Sequence, residues 1–183
     1  MKELSLNILD IAMNSVKAQA TEIGIELIQN ATLLTVTISD NGHGISEDNL
    51  KKISDPFFTT RTTRDVGLGI PFYILAARQT GGDVVIKSIP EPDPDHGTVV
   101  TATFYTDNID CMPLGDMVST VITLIQGSPD IDFEYHHKSD RFDVNLSTKQ
   151  IRAIMDGFPL DSPELIAWIK AYLESQYNPE TEM

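Results

Sequence analysis

Asp40-Asn41-Gly42-His43-Gly44-Ile45, followed downstream by Gly67-Leu68-Gly69, is the stretch on which the reading of this chain turns. A carboxylate at the end of a strand precedes two glycines two positions apart, and a second glycine pair opens an apolar helical stretch. An aspartate buried there can accept a hydrogen bond from the amino group of an adenine. The glycines let backbone approach a base or phosphates at φ > 0 without a Cβ clash. Amides exposed where a helix begins suit an anionic phosphate. Asp-Asn-Gly alone is also a common turn; the order of both glycine pairs behind the first helix is what points to a nucleotide pocket.

Leu4, Ile8, Ile11, Ala12, Ser15 and Val16 recur at helical spacing and predict an amphipathic helix over residues 3–19. Asp10 and Asn14 stand four apart on one face of it, with Lys17 a turn further on. An asparagine oxygen can ligate Mg²⁺, a hard ion that takes oxygen ligands. A carboxylate can orient or deprotonate an attacking water or hydroxyl, and Lys17 can neutralise phosphate charge. Without the glycine pairs, these would read as ordinary solvated helix residues.

Outward from this core, residues 22–28 and 33–38 alternate as a hairpin of two half-buried strands around the turn 29–32, with Asp40 closing the second strand. Ser46-Glu47-Asp48 caps a short helix to about Ile53. Asp55-Pro56 breaks the pattern, and residues 57–66 form a loop. Residues 68–79 repeat as a helix stopped by Gly81-Gly82. Strands are expected at 84–89 and 99–105, joined by the proline-rich stretch 90–94. From Thr106 the composition changes. A helix over 113–126, a hairpin of 131–136 and 141–146, a capping box Ser147-Thr148-Lys149-Gln150 and a last helix begun by Ser162-Pro163-Glu164 describe a small α+β extension packed on the first unit. The division predicted is 1–106 and 107–183.

These residues resemble the GHKL superfamily of ATP-binding domains: gyrase B, the heat-shock chaperone ATPases, histidine kinases and MutL proteins. Asp10-xxx-Asn14 resembles the N box, with residues 14–23 worded as in MutL. Asp40 to Ile45 is similar to the first glycine box, Asp55-Pro56-Phe57-Phe58-Thr59-Thr60 to the F box of histidine kinases, Gly67-Leu68-Gly69-Ile70 to the second glycine box, and His96-Gly97-Thr98 to the last Gly-Thr motif. The resemblance covers Met1 to Thr106 with all boxes in order, far beyond a single short motif. It implies a two-layer α/β sandwich, the Bergerat fold, a mixed sheet with helices on one face. It implies that Asp40 binds the adenine amino group, with Thr98 helping through a water, and that Gly42, Gly44 and Ile45 line the base. Asn14 would hold Mg²⁺ between the phosphates. The Gly67, Leu68 and Gly69 amides would cradle the phosphate tail, within reach of Lys17, Thr60 and Arg64.

Two departures stand out. Asp10 occupies a position that is glutamate in gyrase, MutL and many kinases. One methylene less shortens its reach by roughly 1.5 Å, and ~1 Å misplacements can cost about 100-fold in rate, so slow hydrolysis is expected. The segment between Thr60 and Gly67 is also short for a nucleotide lid. None of His43, His96, His136 and His137 fits a phosphoacceptor motif, and adjacent strand residues such as His136 and His137 face opposite ways, which disfavours a shared metal.

The implied function is Mg-ATP-dependent phosphotransfer to, or regulation of, a protein partner, with Asp10 as the catalytic base. The alternatives are an ATPase conformational switch and a non-catalytic nucleotide-responsive adaptor. A homodimer is compatible with either. With 41% hydrophobic residues the chain can build a core, and the net charge of −14 argues against nucleic-acid binding and against docking on anionic lipid. A lone cysteine, Cys111, excludes an intrachain disulfide. No apolar run approaches a membrane span and no signal peptide is evident, so a cytoplasmic location is expected.

Overall fold

A computed structural model describes residues 3–54 and 69–178. Helix α1 (Leu4–Lys17) buries Leu4, Ile8, Ile11, Ala12 and Ser15, the face set by the spacing of its apolar residues. Its first amides, which no helical carbonyl can reach, donate from Leu4 and Ser5 to the carbonyls of Pro113 and Leu114 at 3.0 and 2.7 Å. The helix ends two residues before the sequence suggests, as Gln19 turns to φ 59°.

Strands β1 (Glu22–Gln29) and β2 (Leu33–Asp40) form the predicted hairpin, helix α2 (Glu47–Ser54) follows, and α3 (Gly69–Gln79) leads into β3 (Val84–Ile89) and β4 (Gly97–Tyr105). Beyond these lie α4 (Met117–Gly127), β5 (Asp132–Lys138), β6 (Asp143–Ser147), α5 (Thr148–Met155) and α6 (Pro163–Tyr177). Helix α4 starts later than its periodicity predicts because Asp116 caps it, accepting from the Ser119 amide. Ser147 caps α5 in the same way.

The strands form one six-stranded mixed sheet in the order β3-β4-β2-β1-β5-β6. Strand β5 runs parallel to β1 in the register Glu22↔Asp132 and Ile25↔Tyr135. The segment after Thr106 therefore continues the sheet, and its buried side chains (Val121, Ile125, Phe133, Leu173) join one apolar cluster with those of α1, β1 and β2. Ile23, Ile25 and Leu27 point into this core; burying each contributes about 1.5–3 kcal/mol. The alternate residues Gly24, Glu26 and Ile28 face the other side. Among the described residues no helix is long and apolar enough to cross a membrane.

Candidate functional site

Asp40 ends β2 against β4, and its carboxylate is held from three directions. Its Oδ1 accepts from the Gly42 amide at 2.9 Å and the Thr98 amide at 3.2 Å; its Oδ2 accepts from the Ser15 hydroxyl at 2.5 Å. A carboxylate offers about four acceptor positions; the described residues fill three of them and leave one on Oδ2. Asp40 lines a cavity of about 540 Å³ together with Ile11, Asn14, Gly44, Ile45 and Thr98. Ile11, Ile45, Ile70 and Val100 line that cavity beside the Asp40 carboxylate, an arrangement suited to a flat heterocycle that donates from an exocyclic amino group.

Around Asp40 the loops are tied down by side chains. Asn41 accepts from the Thr21 and Glu22 amides, and the His96 ring nitrogen Nδ1 donates to the Gly42 carbonyl at 2.6 Å. Ser88 donates to the Gly97 carbonyl and accepts from the Ile45 amide, so the contact between the Ser88 and Thr98 hydroxyls, at 2.8 Å, has Thr98 as donor. The lone pairs of Thr98 Oγ1 then remain available as acceptors. Gly44 has φ +70° and an added Cβ would lie 2.1 Å from the Ile89 carbonyl oxygen; Gly97 has φ +147° and a Cβ there would meet the Asp40 carbonyl oxygen at 2.1 Å. Only glycine fits either place.

A second cavity of about 540 Å³ opens between α1 and α3, lined by Asp10, Asn14, Lys17, Gly69, Phe72 and Leu75 among others. Asn14 and Lys17 line both cavities and form their common wall. The N-terminus of α3 lies against Asp10: a Cβ on Gly69 would sit 3.2 Å from the Asp10 Cβ. Helix N-termini favour negative charge, so this end suits an anionic group as well as the carboxylate beside it. Asn7 also lines this cavity, and its buried Oδ1 has no hydrogen-bond partner among the described residues.

The structure thus brings Asn14, Lys17, Asp40, Gly44, Ile45 and Thr98 around one cavity, with Gly42 donating to Asp40. It sets Asp10 and Gly69 at the adjoining one. Thr60, Arg64, Gly67 and Leu68 lie outside the described residues. Sequence reasoning missed Ser15 and Ser88 as parts of the site. Ser15 sits one residue after Asn14, and its burial in α1 was the available signal; nothing local marks Ser88. His136 and His137 do face opposite ways: His136 lies 2.9 Å from Asp143 on the outer face, while His137 is buried against Phe142 and Tyr177. Cys111 is half-buried, and burial raises its thiol pKa.

The family model described as histidine kinase-, DNA gyrase B-, and HSP90-like ATPase matches residues 1–108. The chain belongs to this family. The tetrathionate sensor histidine kinase TtrS of Salmonella typhimurium is 33% identical over 99 residues, which are 54% of this chain and 17% of that protein. The signal transduction histidine-protein kinase AtoS of Escherichia coli is 37% identical over 92 residues, 49% of this chain and 15% of that protein. The matched part therefore spans less than a fifth of either relative. Among solved structures, the Aquifex aeolicus MutL ATPase domain complexed with ADP superposes with a TM-score of 0.56 at 12% identity, over 85% of this chain and 69% of that one. The N-terminal domain of a DNA repair protein gives 0.55 at 14% identity, over 97% and 57%. At such identities the likeness is one of fold, and it reaches past residue 108 into the strands that complete the sheet. It agrees with the two-layer α/β sandwich expected from the boxes.

Proposed function

We propose that the chain binds Mg-ATP in the two joined cavities and passes the γ-phosphoryl group to a protein partner. The observation that carries this reading is the open acceptor position on Asp40, in a cavity whose Asn14–Lys17 wall leads directly to Asp10 and the start of α3. Adenine occupies the Asp40 end, its amino group donating to Oδ2, with Thr98 Oγ1 accepting through a water. The phosphates follow the common wall toward Gly69 and Lys17. Asn14 offers the amide oxygen that Mg²⁺ requires, and the ion neutralises phosphate charge when bound.

Asp10 is exposed beside half-exposed Phe72 and Leu75. An incoming hydroxyl-bearing side chain has an apolar surface to rest on and a carboxylate to take its proton. That contribution is of the size expected for a positioned general base, about 100- to 10,000-fold. In this division residues 1–106 hold the nucleotide, and residues 107–183 complete the sheet and present a surface to partners. Incubation with radiolabelled ATP, with and without a cell extract, tests the reading: a labelled protein supports it. Free phosphate without labelled protein favours a conformational ATPase, and neither product favours a nucleotide-responsive adaptor.

A further inference from the structure

On the face of the sheet opposite the Asp40 cavity, α5 and one side of α6 wall a groove of about 610 Å³. Its floor includes the cross-strand row Ser39–Gly24–Glu134–Ser147, in which the Ser39 hydroxyl leans over Gly24, 2.7 Å from where a Cβ would stand. One wall carries Trp168 and Tyr172, stacked at 5.2 Å and 8°. These rings stand 53% and 40% exposed on a helix whose Leu165, Ile169 and Leu173 are buried. Ile154 of α5 adds an aliphatic surface that is 80% exposed.

The charges of the groove have one sign. Among its described lining residues Glu26 and Glu134 are acidic, and there is no lysine or arginine. The nearby cations are already used at the rim, Lys149 on Glu22 at 2.6 Å and Arg152 on Asp132 at 2.8 Å. His136, on the floor, lies between Glu26 and Asp143. Stacked aromatic faces attract cations, and an acidic floor beneath them selects the same partner by complementarity.

We propose that this groove docks an extended segment of a partner protein bearing lysine or arginine interspersed with aliphatic residues. Its cations meet Glu26, Glu134 and the faces of Trp168 and Tyr172, and its aliphatic side chains pack on exposed Ile154. Docking here is independent of the nucleotide, because the sheet separates the two sites.

The test uses the full chain and the emission of Trp168, its single tryptophan. The probe is a ten-residue peptide alternating lysine and leucine; the control peptide alternates glutamate and leucine. The lysine peptide should give a saturable emission change that weakens with salt, and the glutamate peptide none. Tyr172→Ala should weaken binding about fivefold, the size of a partly desolvated cation–π contact. Glu26→Gln with Glu134→Gln should weaken it about fivefold, as two exposed ion pairs allow. Asp107→Asn with Asp110→Asn, an equal loss of charge on the exposed loop after β4, should leave it within twofold. Circular dichroism and thermal midpoints confirm that each variant is folded. Equal weakening by the loop variant, equal binding of the glutamate peptide, or no emission change at all would overturn the proposal. So would self-association in sedimentation that Tyr172→Ala abolishes, since the occupant would then be a second copy.

Discussion

Asp40→Asn is the sharpest probe of the nucleotide pocket, because it keeps shape and inverts one atom. The amide oxygen takes the place of Oδ1 and still accepts from the Gly42 and Thr98 amides. Its NH₂ takes the place of Oδ2, where the Ser15 hydroxyl can rotate to become an acceptor. The internal bonds are therefore largely rebuilt, and the fold should lose no more than about 1 kcal/mol. Toward the ligand the change is severe. A charge-assisted bond to the adenine amino group, about 1.5–3 kcal/mol, is lost, and two donors now face each other, with a cost of about 1–3 kcal/mol for the one left unpaired. ATP affinity should fall by roughly 60- to 1,000-fold, taking the lower part of that combined range. GTP, whose six-membered ring presents an oxygen where adenine presents an amino group, should lose far less or gain. Calorimetry with both nucleotides in Mg²⁺ decides it. If the folded variant binds ATP within twofold of the parent, Asp40 does not read adenine and the pocket has been assigned wrongly.

Asn14→Ala should reduce the Mg²⁺-dependent part of ATP affinity while adenosine binding survives, measured by calorimetry with and without the metal; equal loss of both would make Asn14 structural. Asp10→Asn should lower phosphoryl turnover by about 100- to 10,000-fold at near-normal ATP affinity, and Asp10→Glu should match or exceed the parent; unchanged turnover in Asp10→Asn would remove it from the base role. Gly44→Ala places a side chain at φ +70° against the Ile89 carbonyl and should cost on the order of 2–3 kcal/mol, read as a lowered urea midpoint. His137 supplies a pH dependence. Burial, with His136 nearby, lowers its pKa to about 4 from 6.5, so the unfolded chain binds more protons between these values. Its contribution is complete above pH 6.5 and is lost as pH falls toward 4; at pH 5 the loss is on the order of 2 kcal/mol. His137→Asn should flatten the difference in unfolding free energy between pH 7 and pH 5 by that amount.

The short-range parts of this protein could be read from spacing. Apolar residues of α1 at helical intervals, the alternation of β1 and β2, the stop at Gly81-Gly82 and the ordered boxes from Asp10 to Thr98 each express local sterics or a local backbone demand. Asp40, Asn14, Gly44 and Thr98, which those boxes single out, line one cavity. The parallel pairing of β5 with β1 could not be read that way, because it joins Glu22 to Asp132 across more than a hundred residues. What selects it is the burial of Phe133 and Tyr135 on the same side as Ile23 and Ile25.

The same holds for the bonds that complete the site. Ser15 meets Asp40, and His96 meets Gly42, only because helix packing and the β2–β4 register bring distant turns of chain together. Trp168 and Tyr172 carry no local mark of exposure. They stay outside the core because α6 turns Leu165, Ile169 and Leu173 inward, while Gln176 bonds the backbone of Asn145 on the edge strand β6. Local propensity sets which segments are helix or strand, and burial shared among distant segments decides which of their faces meet.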